Sequence, residues 1–245
     1  MTSDLALLAA DLAALVDADD AGRFRRENSP AQNPGPRALV MGCAEGNLVA
    51  VRADVEAGRA ADVRAIVAGQ APWNDPEAPP AWRADIARAL GLPPEGESAV
   101  PGPIYALPHG LAFATDAEIV GSESPEGAAL LARLTREGMS PAMVAAGFVD
   151  TGELWPPWTL ALVNGQVAAA AFAARTGAGA LEIGVYTLEA FRGRALAAAV
   201  TAAWTQLPSL ATAALFYSTS QTNRASRAVA AKLGLRRFGV SLRTG

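Results

Sequence analysis

The sequence predicts an α+β protein, and three observations carry that reading. Thr159–Val163 and Gln166–Ala174 are strand-forming runs joined by Asn164-Gly165. That dipeptide satisfies both positive-φ positions of a type I′ hairpin turn. Leu181–Thr187 reads as a strand, and past the Arg192-Gly193-Arg194 turn Leu196, Val200, Ala203 and Leu207 recur at helical spacing. Residues 1–98 hold a similar mixture of helical stretches and a hairpin, and are read as an accessory α+β region; residues 99–245 form the main domain.

Taken in order, Leu5, Leu8, Leu12, Leu15 and Val16 predict a helix capped by Ser3 or Asp4 and ending near Asp19-Asp20. The basic run Arg23–Arg26 and the turn formers after it read as a solvated connector. Ala38–Gly42 and Leu48–Ala53 predict a hairpin, Val55–Val67 a helix, and Trp82–Leu90 a short helix after a proline-broken loop. Pro93–Ser98 is the candidate linker. Strands follow at Ile104–Leu107, Leu111–Ala114 and Ala117–Val120. Ser124-Pro125 and Ser140-Pro141 open two helices, each with proline at its first position. After the Asn-Gly hairpin come the strand Leu181–Thr187, a helix Gly193–Gln206, a strand Ala211–Tyr217, a helix Asn223–Leu233 and a last strand Phe238–Leu242.

Composition narrows the function classes. With 245 residues, 51% hydrophobic and 18% charged, the chain can bury a sizeable core. No apolar run reaches the length of a membrane span, and Asp4 and Asp11 interrupt the N-terminal apolar stretch, so neither membrane insertion nor a signal peptide is expected. Cys43 stands alone, which fits a reducing cytoplasm. One His and one Cys leave no structural zinc site. The net charge of −4 argues against general nucleic-acid binding. It conceals an asymmetry: residues 175–245 hold nine Arg and Lys against two Glu, a local charge of +7. A basic C-terminal third suits a compact anionic ligand.

The chemistry concentrates between Leu181 and Leu235. A strand that turns through glycine into a helix gathers unpaired N–H groups, here from Gly193 to Ala197, at the positive end of the helix dipole. That is a phosphate or pyrophosphate site, and Arg192 and Arg194 flank it. Ala195 stands where glycine is common; helix-opening residues take negative φ, so alanine is expected to be tolerated. Asn223, Ser226, Lys232 and Gly234 form a second block about thirty residues on. The two blocks together resemble those of the GNAT superfamily of acyl-CoA-dependent N-acetyltransferases, whose first block is Gln/Arg-x-x-Gly-x-Gly/Ala. Leu235 replaces the usual closing Phe.

This resemblance covers roughly residues 100–245. It implies a GNAT-type mixed, mostly antiparallel sheet flanked by helices, with acetyl-CoA as acyl donor and an amine of a small molecule or peptide as acceptor. By the same resemblance, Val185, Tyr186 and Thr187 hold the pantetheine arm, and Arg192, Gly193, Arg194, Ala195, Leu196 and Ala197 the pyrophosphate. Asn223 and Ser226 also contact the donor. Glu182 is the candidate base. Many members carry a tyrosine seven residues after the second-block Asn as general acid; here that position is Ala230, and Tyr217, Ser218 or Ser220 could substitute. His109, the single histidine, is a second candidate base. Neither nucleic acid nor membrane is an expected partner, and a homodimer stays open. The alternative function is a non-catalytic acyl-CoA-binding or regulatory module with the same fold. An unrelated nucleotide-binding α/β protein is disfavoured by the lack of a Gly-Lys-Ser/Thr phosphate loop.

Overall fold

A computed structural model describes residues 2–93 and 100–245. Its eleven strands, among the described residues, form one open mixed sheet. They are β1 Val16–Ala18, β2 Arg23–Glu27, β3 Ala38–Cys43, β4 Gly46–Arg52, β5 Gly102–Ala106, β6 Glu118–Gly121, β7 Trp158–Val163, β8 Gln166–Gly177, β9 Ala180–Thr187, β10 Ala214–Ser218 and β11 Arg236–Thr244. Their order across the sheet is β1-β2-β4-β3-β11-β5-β10-β9-β8-β7-β6. Only β2–β4 and β9–β10 pair in parallel. Strands from both sides of the expected boundary at 98/99 share this sheet, since β3 pairs with β11 from Ala38↔Thr244 to Gly42↔Val240.

The helices are α1 Asp4–Leu15, α2 Ala57–Ala68, α3 Arg83–Ala89, α4 Pro125–Glu137, α5 Pro141–Ala145, α6 Leu196–Trp204 and α7 Arg224–Lys232. Strand alternation decides which helix covers which face. On β9, Leu181 and Ile183 pack with Leu196, Val200 and Trp204 of α6, while Ala180 packs with Leu8, Ala14 and Leu15 of α1. On β3, Leu39 and Met41 meet α1, while Ala38 and Val40 meet Ala60 and Val63 of α2. α1 therefore lies against the face opposite α2 and α6. It crosses the sheet from Asp4, paired with Arg236 at 2.7 Å, to Ala13, which lies against Gly177 of β8.

Four expectations are corrected. α1 stops at Leu15, because Val16 turns extended and pairs with Glu27. The basic run is not a connector but strand β2: Phe24 and Glu27 point inward, Arg25 and Arg26 outward, and the Arg23 guanidinium donates to the carbonyls of Arg52, Ala53 and Val55. Leu111–Ala114 is not a strand. Its backbone bonds the end of α6 instead, Leu111 N–H donating to Thr205 Oγ1 and Leu111 C=O accepting from Gln206 Nε2. The helix expected from Gly193 begins only at Leu196. The Asn-Gly hairpin does form, with φ of 51° at Asn164 and 73° at Gly165. The linker expected at Pro93–Ser98 lies, from residue 94 onward, outside the described residues.

Candidate functional site

The site begins where two parallel strands part. β10 pairs with β9 over Ala214↔Ala180, Leu215↔Leu181 and Phe216↔Glu182 and no further. Beyond that point β9 continues alongside β8 to Thr187↔Ala169, while Tyr217 and Ser218 of β10 stay with Tyr105 and Ile104 of β5. From Ile183 onward one edge of β9 has no strand beside it among the described residues, so its peptide groups are free to pair with an extended ligand.

The fork leads into the turn before α6. After a 3-10 turn at Glu189–Phe191, Gly193 takes φ 79° and Ala195 φ 56°. These two left-handed residues are separated by one position, and none of the N–H groups from Gly193 to Ala197 donates to an acceptor among the described residues, which leaves them for an anion. The dipole of α6 adds to the positive potential there. Ala195 corrects the reading of that position: it is the helix N-cap in the left-handed region, where glycine would be unstrained.

α7 closes the other wall. Asn223 is its N-cap, its Oδ1 accepting from Ser226 N–H at 3.0 Å, and Gly234 at φ 63° follows its C-terminus. Between fork, turn and α7 runs a cleft of about 620 Å³. Val185 to Thr187, Arg192 to Ala197, Asn223 and Ser226 all line it, and so do Tyr217 and Lys232. The Thr187 hydroxyl is buried there without a hydrogen-bond partner among the described residues.

The three candidate catalytic side chains divide between the two faces of the sheet. Tyr217 faces the cleft, and its Oη lies 2.6 Å from Ser226 Oγ. Burial pushes its phenol above the ordinary tyrosine value; the Ser226 hydrogen bond opposes this and Tyr105 adds to it. Ala230 is packed in the core with Leu196 and Tyr217. Ser218 and Glu182 lie on the other face, the Ser218 hydroxyl donating to Glu182 Oε1. Glu182 is 2% exposed, is bound by Arg175 Nη1 at 2.8 Å, and does not line the cleft. His109 is exposed, and its Nε2 lies 2.9 Å from the carbonyl oxygen of Ala213, away from these groups.

The sequence reading missed the surroundings of Glu182. Arg175 of β8 also binds Glu27 of β2 at 2.9 Å, and Arg243 of β11 pairs with the same Glu27. Asp11 of α1 is fully buried beside them. A signal for it exists: Asp11 lies three residues after Leu8 and four before Leu15, on the buried stripe of α1.

No protein-family model and no curated protein matches the chain. Among solved structures it is similar to a GCN5-related N-acetyltransferase from Kribbella flavida, at 19% identity and a TM-score of 0.39 over 59% of this chain and 57% of that one. It is similar to a tandem GNAT protein from the clavulanic acid biosynthesis pathway at 18% identity and a TM-score of 0.44, over 65% of this chain and 56% of that one. Both matches span less than two thirds of the solved chains. A GCN5-related N-acetyltransferase-like protein from Streptococcus suis is 17% identical, with a TM-score of 0.44 over 97% of this chain and 92% of that one. The solved structures to which this chain is similar are, in these three cases, GNAT acetyltransferases or proteins like them.

Proposed function

We propose that the protein is a GNAT-type N-acyltransferase that moves an acetyl or other acyl group from acetyl-CoA to a primary amine by direct attack. The observation that carries the reading is the single cleft joining a parted pair of parallel strands to a ring of free amides at a helix N-terminus. A CoA thioester asks for both ends. Its amide-bearing arm pairs with the open edge of β9 at Val185–Thr187, and its pyrophosphate takes the amides of Gly193–Ala197 with Arg192 and Arg194 beside them. The orphaned Thr187 hydroxyl is a further donor or acceptor for the arm.

Two groups of this chain are suited to the proton transfers. Glu182 does not line the cleft, so it would receive the amine proton only through Ser218, which already donates to it, from an amine that approaches Ser218 on the face opposite the donor. Tyr217, held protonated by burial and oriented by Ser226, would supply the proton to the departing thiolate. With an unperturbed thiol pKa of about 8.5, the leaving group needs only modest help near neutral pH.

The test is incubation with acetyl-CoA and a panel of primary amines, following free thiol by colorimetry and the amine by mass spectrometry. Amine-dependent thiol release with acetylated amine is expected. CoA binding without transfer to any amine would favour the non-catalytic binding module, and absence of CoA binding would sink both readings.

A further inference from the structure

Three carboxyls and two guanidiniums are gathered beneath α1, and one of the carboxyls has no partner. Arg175 takes Glu182 and Glu27, and Arg243 takes Glu27. Asp11, 0% exposed, has neither carboxylate oxygen hydrogen-bonded among the described residues. From β9 it is faced by Glu182, from β8 by Arg175 and from β11 by Arg243. β3, β4 and β10 present Leu39, Met41, Cys43, Ala50 and Phe216 to α1. If all three acids were ionised, this buried group would carry a surplus negative charge with no hydrogen bond to spread it, which an apolar interior strongly disfavours. Both guanidiniums are already engaged by Glu27 and Glu182, so the unpartnered acid is the one that keeps a proton.

We propose that Asp11 keeps its proton in the folded protein, a neutral acid buried without a partner beside Glu182, which Arg175 and Ser218 already hold. The inference deepens the role given to Glu182 and rests on that reading for its catalytic meaning. It makes α1, from the region without sequence motifs, part of the surroundings of the base. Burial is the main force raising the Asp11 carboxyl well above its ordinary range, the negative charge of Glu182 adds to it, and Arg175 and Arg243 pull the other way.

Infrared spectroscopy of the full chain with carbonyl-labelled aspartate reads that proton directly and needs no turnover. At pH 7 the wild type should show one protonated aspartic acid, and Asp11→Asn should lack it. In Glu182→Gln the same band should titrate lower by about one pH unit or more, because a like charge has gone. No protonated aspartate at pH 7, or a titration unchanged in Glu182→Gln, overturns the proposal; the wild-type spectrum decides the first point even if a variant fails to fold. Because amine acylation is measured separately, a protonated Asp11 without transfer would refute the acyltransferase reading and keep the buried acid.

Discussion

At the scale of single residues, two side chains sit where their chemistry is least at ease. Ala195 at φ 56° carries the cost of a Cβ in the left-handed region, about 1–2 kcal/mol. Glycine removes that cost but adds freedom to the unfolded chain, about 0.4–1 kcal/mol. Ala195→Gly should therefore stabilise the protein by about 0.5–1 kcal/mol, measured by urea denaturation. Asp11 gives a pH-dependent counterpart. Its folded-state carboxyl is raised, so above the unfolded value near 4 the unfolded chain loses a proton that the native chain keeps. Stability then falls as pH rises, by about 1.4 kcal/mol for each unit over which native Asp11 stays protonated. Asp11→Asn should match the wild type near pH 3.5 and exceed it by a growing margin toward pH 8. An equal difference at both ends would contradict the buried proton. Asp11 was legible only as a polar residue on an apolar stripe; Glu27, Arg175 and Arg243 lie far apart in sequence, so no local pattern brings them together. Ala195 escapes the sequence pattern because the helix expected from Gly193 starts three residues later, at Leu196, which leaves Ala195 as its cap.

At the scale of elements, the site depends on the N-termini of α6 and α7. The turn before α6 offers amides and a dipole, and Arg194 lines the cleft beside them. Arg194→Glu should weaken CoA binding by about tenfold or more, a loss of ~1.4 kcal/mol, with little change in the melting transition. Unchanged affinity by calorimetry would remove the turn from the donor site. Asn223 separates capping from ligand contact. Aspartate accepts the Ser226 N–H equally well, so Asn223→Asp should keep stability within a few tenths of a kcal/mol while its added charge weakens CoA binding. These elements were legible because their signals are local: a glycine turn after β-formers, and an N-cap, a helical stripe and a terminal glycine in sequence. β2 was not, because an Arg-rich run pairs as a strand only once β1 and β4 lie on either side of it. Leu111–Ala114 failed for the converse reason, its apolar residues lying in a loop tied to α6.

At the scale of the whole molecule, sequence motif and folding unit need not share a boundary. Leu8, Ala14 and Leu15 of α1 are buried against Ile104, Ala180, Phe216 and Phe238, all from the later part of the chain. Fully burying a leucine is worth roughly 1.5–3 kcal/mol. Removing residues 1–98 would also unpair β11 from β3 and strip Arg175 and Arg243 of Glu27. A domain's whole stability is roughly 5–15 kcal/mol. The losses together reach the entire margin. We therefore expect a fragment of residues 99–245 to bind hydrophobic dye, aggregate and lack a cooperative thermal transition, although it holds every proposed donor-binding residue. A gentler perturbation tests the same docking in the intact chain. A Cβ built at Gly177 would lie 1.8 Å from the Ala13 carbonyl oxygen, backbone that cannot step aside without moving α1. Gly177→Ala should lower the melting temperature clearly and loosen α1 in hydrogen exchange while α6 and α7 keep their protection. A monomeric, cooperatively folded 99–245 fragment with full CoA affinity would instead mean that α1 is dispensable to the core, despite its contacts beneath the fork.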